Sequence, residues 1–557
     1  MNLIMIQKYN EWCKNVTLDM DLIDELNKIQ NNIDEIEDRF YKDLEFGTAG
    51  LRGIIGAGTN RMNIYTVMKT TQGLANYLNK NYKDPSVAIA YDSRIKSDVF
   101  SKYAACVLAK NKINVHIYKE LMPTPSLSYA VRYLKCQAGI VITASHNSSK
   151  YNGYKVYGED GCQITTETAK DILEEINKID IFNDIKYSDF NLELKMGNIK
   201  YIDDEVIDNF IKDISKLSLN NSLNNLKIVY SPLNGTGKKC VLKILERQGY
   251  NDVILVKEQE NPDGNFPTCP YPNPEKKEAL SLGIELAKKT DADIVIATDP
   301  DADRVGVAIS HNNEYKLITG NEMGILLFNY ICENKKMPNK PVCVETIVTT
   351  DMVKEIAKKY NVEVRETLTG FKFIGEQIGL LEKENRIDDY IFGFEESYGY
   401  LSGSHVRDKD AINASMLICE MTSLYKNNGL TLIDKLDELY KEFGYFKNKL
   451  VDYTFEGIDG MSKIKLIMDY LRNNNIDKID NIKVINIKDY NIKQKSIVDL
   501  PLSNVLEFYL ENNSKFIARP SGTEPKIKFY IECKGNNGND CSIKIKIIEN
   551  YIKNIIQ

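Results

Sequence analysis

The chain has 557 residues, which is too long for a single hydrophobic core, so we expect three or four domains. The formal net charge of −7 argues against a nucleic-acid backbone or an anionic membrane as the main partner. No apolar run approaches the roughly 20 residues that a membrane-spanning helix needs.

The numbers and spacing of cysteine and histidine argue against some kinds of disulfide-bonded and metal-binding protein. The eleven cysteines are scattered without a Cys-x-x-Cys pair, which favours reduced thiols over a disulfide framework or a zinc site. Only four histidines are present, which argues against a histidine-built metal centre. Polar residues follow the first apolar ones at once, so we expect no secretory signal and predict a cytoplasmic protein.

The first predicted element is an amphipathic helix. Its apolar residues are spaced four, three, four and three apart: Leu22, Leu26, Ile29, Ile33 and Ile36. The helix leads into residues 44–53, where three glycines surround Arg52. This composition predicts a tight loop in which the backbone and the guanidinium can both approach an anion. A solvent-facing arginine in a turn fits that segment equally well.

Strands and helices then alternate. We predict strands at 87–91, 114–118 and 138–142, with helices at 97–110 and 125–134 between them, which is the pattern of parallel βαβ units. The third strand ends in Thr-Ala-Ser-His-Asn (143–147). Ser145 therefore lies on a loop past the carboxyl end of a strand, where open α/β sheets bind ligands. A Ser/Thr/Asn turn with a buried histidine is the alternative for this stretch alone.

The same pattern recurs twice. The second occurrence has a helix at 237–248 and strands at 226–230, 252–256 and 292–297, the last of which opens into residues 298–304. The third has a helix through residue 357 and strands at 342–348, 362–366 and 390–392, the last of which opens into residues 393–397. We therefore predict an α/β fold of three similar domains with mixed sheets between helices.

The C-terminal part of the chain has a different pattern. Strands with alternating apolar residues are predicted at 505–509, 516–518 and 527–532, with a helix at 463–472 and another at the C-terminus. This favours a smaller α+β domain with an antiparallel sheet. We place the four domains at 1–200, 201–318, 319–446 and 447–557.

An acidic loop follows the strand at 292–297. Asp299, Asp301 and Asp303 occupy alternate positions, and two unit charges ~4 Å apart repel by about 4 kcal/mol at an effective dielectric near 20. A hard divalent cation such as Mg²⁺ removes that repulsion and suits a site shared with a phosphate oxygen. An EF-hand loop needs Gly sixth and Glu twelfth, where this chain has Arg304 and Ser310. A solvated acidic turn is the remaining alternative.

Arg-Pro-Ser-Gly-Thr-Glu-Pro-Lys (519–526) lies between two predicted strands of the last domain. One guanidinium, two hydroxyls and an unhindered glycine amide match the oxygens of a phosphate dianion. The segment is not a Walker loop, and an ordinary hairpin turn fits the isolated motif about as well.

Four further side chains are candidates on weaker grounds. Glu395 and Ser397 offer an acceptor and a donor-acceptor for sugar hydroxyls, although acidic surface loops are common. His146 and Lys155 are candidate proton shuttles or phosphate-binding cations, although a lone histidine beside an apolar strand is more often structural.

The combination of these motifs resembles the α-D-phosphohexomutase superfamily. The motifs occur in one order over all four proposed domains: residues 143–147, 299–304, 395–397 and 519–525. Two further segments, 44–50 and 406–411, resemble the bacterial α-phosphoglucomutase branch, which is close to phosphopentomutase-type enzymes.

The resemblance implies a four-domain enzyme with its active site in a central cleft. Ser145 would be the phosphoserine, and Asp299, Asp301 and Asp303 would bind Mg²⁺ together with it. The resemblance also implies catalytic positions at Arg52, His146, Lys155 and Arg304. It implies sugar contacts at Thr369, Gly370, Lys372, Glu395 and Ser397, and a clamp for the unreacting phosphate at Arg519, Ser521, Gly522 and Thr523.

The implied activity is phosphoglucomutase. It would interconvert glucose 1-phosphate and glucose 6-phosphate through a phosphoserine, with glucose 1,6-bisphosphate as intermediate and activator, and its partners would be small sugar phosphates. Ser148 stands where the family usually has proline, and residues 394–399 depart from the common Gly-Glu-x-Ser-Gly-His, so the exact sugar stays open.

Several alternatives remain. Phosphomannomutase or phosphopentomutase activity lies within the same superfamily. A sugar-phosphate phosphatase could use the same serine, and a calcium-binding module could use the acidic loop alone. The sequence leaves open the oligomeric state, the resting phosphorylation of Ser145 and the identity of the general acid/base.

Overall fold

Four β-sheets follow one another along the residues that the structure describes, which are 3–47, 49–220, 225–455, 460–474, 476–492, 500–521 and 526–556. The structure is a computed structural model. None of the helices in these ranges is long and apolar enough to cross a membrane. All eleven cysteines are free thiols, and Cys13 alone among them is exposed.

The first sheet has the strand order β1-β5-β4-β2-β3-β6. Its strands are β1 (Gly50–Ile54), β2 (Ser86–Tyr91), β3 (Asn114–Ile117), β4 (Ala138–Ile142), β5 (Tyr151–Gly158) and β6 (Ile199–Tyr201). The helices of this part are α1 (Leu3–Asn15), α2 (Met20–Ile29), α3 (Ile33–Phe40), α4 (Ile64–Asn81), α5 (Ser97–Lys110), α6 (Thr124–Tyr133), α7 (Thr166–Ile176) and α8 (Phe190–Met196). Strands β4, β2, β3 and β6 are parallel to one another. Strand β5 runs antiparallel to β4, and the edge strand β1 runs antiparallel to β5.

The second sheet has the order β11-β10-β9-β7-β8. Its strands are β7 (Ile228–Ser231), β8 (Val253–Leu255), β9 (Ile294–Thr298), β10 (Val305–His311) and β11 (Glu314–Ile318). Helix α9 (Asp204–Ser215) precedes it, and α10 (Gly237–Arg247) and α11 (Lys277–Thr290) connect its parallel strands.

The third sheet has the order β13-β12-β14-β15. Its strands are β12 (Val342–Thr346), β13 (Glu363–Thr367), β14 (Tyr390–Glu395) and β15 (Gly399–Leu401). Its helices are α12 (Gly320–Asn334), α13 (Met352–Tyr360), α14 (Phe371–Lys383), α15 (Ala411–Asn427) and α16 (Leu432–Phe443), with a 3-10 turn at Ile387–Asp389.

The fourth sheet is antiparallel throughout and has the order β16-β21-β20-β19-β18-β17. Its strands are β16 (Tyr445–Thr454), β17 (Lys478–Ile479), β18 (Ile482–Asp489), β19 (Leu506–Leu510), β20 (Ser514–Pro520) and β21 (Lys526–Gly535). Helices α17 (Gly460–Asn473) and α18 (Gly538–Ile556) cover one of its faces. The predicted fold class is confirmed. The domain divisions after residues 200, 318 and 446 lie within two residues of strand ends and stay predictions.

Two local predictions were wrong. The helix expected over Leu22 to Ile36 is two helices, because the chain turns after α2 and the Asn32 side chain accepts the Glu35 N–H to begin α3. Arg52 lies in strand β1 and not in a loop, since residues 50–54 pair with β5. Gly50 is required there, because a β-carbon would lie 1.8 Å from the Tyr154 carbonyl oxygen and its φ is 144°.

A buried lysine joins the third and fourth sheets. Lys515 Nζ on β20 lies 2.9 Å from Asp351 Oδ1, and carboxylate oxygens of Glu507 and Glu532 lie at 3.8 and 3.7 Å. Glu532 also accepts the Asp351 N–H at the start of α13. Burial acts to lower the pKa of Lys515, but the three carboxylates outweigh it and hold that pKa well above its usual range.

We predict that Lys515→Met destabilises the fourth domain, because three buried or half-buried carboxylates lose their shared cation. Removing one partner of a buried ion pair costs about 3–5 kcal/mol. Urea unfolding followed by hydrogen exchange in β19–β21 measures this cost. Lys447→Met, an exposed lysine on β16, is the control and should change little. Equal unfolding free energies for the two variants would contradict the assignment.

Candidate active site

Ser145 lies at the carboxyl end of β4, in the connection to β5. Its backbone has φ of 50°, which is the left-handed region, and the residue is buried. The Ser145 N–H donates to Thr143 Oγ1 at 2.8 Å, and the side-chain O–H donates to Asp299 Oδ2 at 2.7 Å. The serine loop of the first sheet therefore touches the aspartate loop of the second.

The aspartate loop joins β9 to β10. Asp299 Oδ1 accepts the N–H groups of Asp303 and Arg304 at 3.1 and 3.0 Å, and Ala302 has φ of 50°. These bonds curl the chain so that all three carboxylates point inward. Each aspartate is at most 2% exposed, although carboxylates are almost never fully buried without a partner.

The three carboxylates do not share their charge equally. Burial, with Asp301 and Asp303 close by, raises the pKa of Asp299 well above its usual range. Burial and Asp301 likewise raise the pKa of Asp303. Burial acts in the same direction on Asp301, but the Lys155 ammonium outweighs it, so the pKa of Asp301 is lowered.

The donor set fits a hard divalent cation. One ligand oxygen from each aspartate lies within 4.8 Å of the other two. Asp301 Oδ1 and Asp303 Oδ1 are buried and accept no hydrogen bond from any described residue. Buried oxygens of that kind are costly unless an ion or water pairs with them. The triad is therefore a candidate metal site.

Two lysines from different parts of the chain balance the triad. Lys155 Nζ on β5 lies 3.1 Å from Asp301 Oδ2, and Lys409 Nζ lies 3.2 Å from Asp303 Oδ2. Lys409 also contacts Asp408 at 3.1 Å, and the sequence reasoning missed it. In the sequence Lys409 lies between two aspartates directly before an apolar helix. Charged residues are common near the start of a helix, so this pattern does not indicate a functional lysine.

Two arginines also bring positive charge to the aspartate and serine loops. Arg304 donates to Glu275 Oε1 at 2.7 Å, and its Nε lies 3.8 Å from Asp303 Oδ1. Arg52 donates to Asn147 Oδ1 at 3.3 Å, which places it beside the serine loop. The structure thus brings both predicted arginines to the serine and aspartate loops.

His146 is held neutral. Its Nδ1 lies 3.2 Å from Ser145 Oγ. Burial, followed by the positive charges of Arg304 and Arg52, lowers the pKa of His146 well below its usual value. Near pH 7 the imidazole is therefore an uncharged hydrogen-bond partner of the Ser145 hydroxyl.

The third sheet contributes Glu395 at the end of β14. Its Oε1 accepts the Gly370 N–H at 2.9 Å, so the two predicted sugar-binding segments touch. The charge of Glu395 acts on Arg304 and Lys409, which links these segments to the aspartate loop. Lys372 is the second residue of α14, and Thr369 and Ser397 are partly exposed in the adjoining turns.

The fourth sheet contributes Arg519 near the end of β20. Arg519 donates to the Tyr530 hydroxyl at 3.3 Å, and Lys528 is its cross-strand partner on β21. Both cations act on Glu396 beside the sugar-binding segments. Ser521 follows β20, whereas Gly522 and Thr523 lie outside the described residues. Sequence reasoning missed Lys528, because a lysine on an alternating strand carries no signal that it lies opposite Arg519.

Three family models match this chain, each described as a phosphoglucomutase/phosphomannomutase α/β/α domain. Domain I matches residues 43–182, domain II residues 207–312 and domain III residues 319–443. A phosphoglucomutase of Staphylococcus saprophyticus is 40% identical over 526 residues, which cover 92% of this chain and 94% of that protein. The chain belongs to the phosphoglucomutase/phosphomannomutase family. The predicted superfamily is confirmed.

One more curated relative and two solved structures are also similar to this chain over most of its length. The phosphoglucomutase of Staphylococcus haemolyticus is 39% identical and covers 93% of this chain and 94% of its own. A putative phosphomannomutase from Thermus thermophilus has the same fold, with a TM-score of 0.70 at 20% identity over 91% of this chain and 99% of its own. The open form of Paramecium parafusin gives a TM-score of 0.68 at 18% identity, covering 92% and 95%.

The shifted pKa of Glu396 predicts how the free energy of unfolding depends on pH. Burial, then the negative charges of Glu395 and Glu275, raise the pKa of Glu396 from 4.5 to about 7. Between these pH values the folded protein binds more protons at this group than the unfolded chain does, so the free energy of unfolding falls as pH rises through the window.

We expect Glu396→Gln to be stabilised relative to the parent at pH 8, on the order of 1–3 kcal/mol, and to differ little at pH 4.5–5. Thermal melting at both pH values measures the difference. Glu174→Gln, at an exposed glutamate of α7, serves as control. A difference between Glu396→Gln and the parent that is the same at both pH values would exclude a titrating Glu396.

Proposed function

We propose that this chain is a phosphoglucomutase, an intramolecular phosphotransferase that interconverts α-D-glucose 1-phosphate and glucose 6-phosphate. The observation that carries the proposal is the 2.7 Å contact between Ser145 Oγ and Asp299 Oδ2, which joins a nucleophile to a candidate metal site across two sheets. The curated relatives named phosphoglucomutase support the same activity.

Phosphorylated Ser145 would begin the cycle. The Ser145 Oγ–P bond breaks while a hydroxyl of the bound hexose phosphate forms a bond to the same phosphorus. That hydroxyl loses its proton to a neighbouring base, and the product is a glucose 1,6-bisphosphate. After this intermediate turns over, Ser145 Oγ forms a bond to the other phosphorus while the bond from that phosphorus to the sugar oxygen breaks. The serine proton, which faces Asp299 Oδ2 at 2.7 Å, leaves Oγ, and the sugar oxygen regains a proton from the base that took one in the first transfer.

Positioning and charge neutralisation dominate phosphoryl transfer. Lys155 and Lys409 hold positive charge on two sides of the aspartate loop, and Arg304 and Arg52 add to it. A phosphoserine brings roughly −1.5 to −2 charges near pH 7. Asp299, Asp301 and Asp303 would hold Mg²⁺, which when bound supplies the charge that makes the phosphoserine tolerable there.

A hexose phosphate that reacts at either of two positions needs residues that bind its sugar hydroxyls and, further away, residues that bind the phosphate that is not reacting. Glu395 and Ser397 would bind the sugar hydroxyls, with Thr369, Gly370 and Lys372 beside them. Arg519 and Ser521, with Gly522 and Thr523, would hold the phosphate that is not reacting. Each phosphoryl position of the sugar can then face Ser145 in turn. The predicted cytoplasmic location stays a prediction.

We predict that Ser145→Ala lowers the conversion of glucose 1-phosphate to glucose 6-phosphate by several orders of magnitude, because no side chain remains to carry the phosphoryl group. A coupled assay with glucose 1,6-bisphosphate supplied measures it. Ser149→Ala, four residues further along, should retain near-normal turnover. Full activity of Ser145→Ala would exclude the phosphoserine.

The same assay separates the rival activities. Release of inorganic phosphate instead of an isomer would indicate a phosphatase. Rates on glucose, mannose and ribose 1-phosphates would distinguish phosphoglucomutase from phosphomannomutase and phosphopentomutase. Glucose should be preferred, since the relatives described above carry the phosphoglucomutase name.

We predict a metal requirement that acts through the triad. Chelation should abolish activity, Mg²⁺ should restore it, and Asp301→Asn should raise the Mg²⁺ concentration that gives half activity by at least ~10-fold, since a carboxylate ligand is lost. Titration calorimetry with Mn²⁺ gives an independent reading of affinity. Glu174→Asn is the matched control. Undiminished activity after exhaustive chelation would refute the requirement.

A further inference from the structure

Arg94 is a buried arginine whose guanidinium faces the serine loop. It follows β2, in the segment that leads to α5, and its side chain is 0% exposed. Arg94 donates to the carbonyl oxygens of Ser148 and Tyr151 at 2.8 and 3.0 Å, and also to those of Ser145 and Asn147. One side chain therefore satisfies three carbonyl groups of the β4–β5 connection and that of the first residue of β5.

A second set of bonds holds the other side of Ser145. Asp92 Oδ2 accepts the Thr143 hydroxyl at 2.6 Å, and Thr143 Oγ1 accepts the Ser145 N–H at 2.8 Å. Asp92 also pairs with Arg94 at 3.3 Å, and both side chains are fully buried. The N–H and the carbonyl of Ser145 are thus both tied to this Asp-Arg pair.

The second domain covers the same arginine. The Phe266 ring lies 5.1 Å from the Arg94 guanidinium carbon. The neighbouring Gly264 packs so closely on the Arg94 segment that a β-carbon would lie 2.5 Å from the Ile95 nitrogen. Arg94 therefore contacts both the serine loop and the domain that carries the aspartate loop.

We propose that Arg94 is a positioning residue for phosphoryl transfer. It holds Ser145 in the left-handed conformation that aims Oγ at Asp299, and with Phe266 it fixes the spacing of the serine and aspartate loops. This role rests on the proposed function only where turnover is concerned. A serine displaced by ~1 Å can lose about 100-fold in rate even when substrate binding is intact.

Lysine keeps the charge of Arg94 but cannot reach four carbonyls in a planar fork. In Arg94→Lys we expect kcat to fall by roughly 100-fold with KM for glucose 1-phosphate within about threefold of the parent. In Arg94→Met, kcat should be lower still. Arg61→Lys is the matched control, because Arg61 is also buried in the first domain but binds the carbonyls of Asp38 and Asn60.

Hydrogen exchange supplies a reading that needs no turnover. Amides of residues 143–151 should exchange at least ~10-fold faster in Arg94→Lys, while those of β2 and β4 keep their protection. The emission of Trp12, the single tryptophan of the chain and buried in the first domain, should not change if that domain is intact.

Each outcome decides the role of Arg94. A folded Arg94→Lys with parental kcat and parental exchange in 143–151 would overturn it, as would a loss of kcat equal to that of Arg61→Lys. If the parent protein has no mutase activity, the proposed function fails, yet faster exchange of 143–151 in Arg94→Lys would still support the positioning of Ser145.

Discussion

The structure around the candidate site depends on three carboxylates that are kept out of water. Asp299, Asp301 and Asp303 are together on one loop, and burying an unpaired charge costs several kcal/mol. No partner on the loop itself is sufficient, since the backbone N–H groups of the loop satisfy only one oxygen of Asp299. The partners must come from elsewhere in the chain, and this constraint explains why several domains meet at this point.

Those partners are a hydroxyl and two ammonium groups from separate segments of the chain. The first domain provides the Ser145 hydroxyl and the Lys155 ammonium, and the segment before α15 provides Lys409. Asp408 next to Lys409 accepts the Tyr157 hydroxyl of the first domain at 2.7 Å, so that segment is itself fixed to β5. Contacts that neutralise the triad are therefore also contacts that close the domains on one another, and stability and site geometry cannot vary independently.

The sequence predicted the parts whose signal is local. The strand ending at Ile142 and the helix over 97–110 were recognised from apolar runs and spacing, and the alternating aspartates carry their chemistry in their own order. The edge strand β1 and its neighbour β5 are not predicted, because their glycines and polar residues resemble those of loops. Arg94 and Lys409 were missed for a different reason. Their partners on the serine and aspartate loops lie 51 or more residues away, and only the fold brings them together.

Two cations of the fourth domain, Arg519 and Lys528, act on the protonation of Glu396, so an anion bound to them would change the pKa of that carboxyl group. Burial, with the negative charges of Glu395 and Glu275, raises the pKa of Glu396 to about 7, while Lys528 and Arg519 act in the opposite direction. A phosphate dianion held by those two cations would cancel their favourable effect and add its own repulsion, so the pKa of Glu396 would rise further. By linkage, phosphate binding there would take up part of a proton and would weaken as pH rises above 7. A phosphate clamp next to this acid would therefore bind its anion more weakly at alkaline pH.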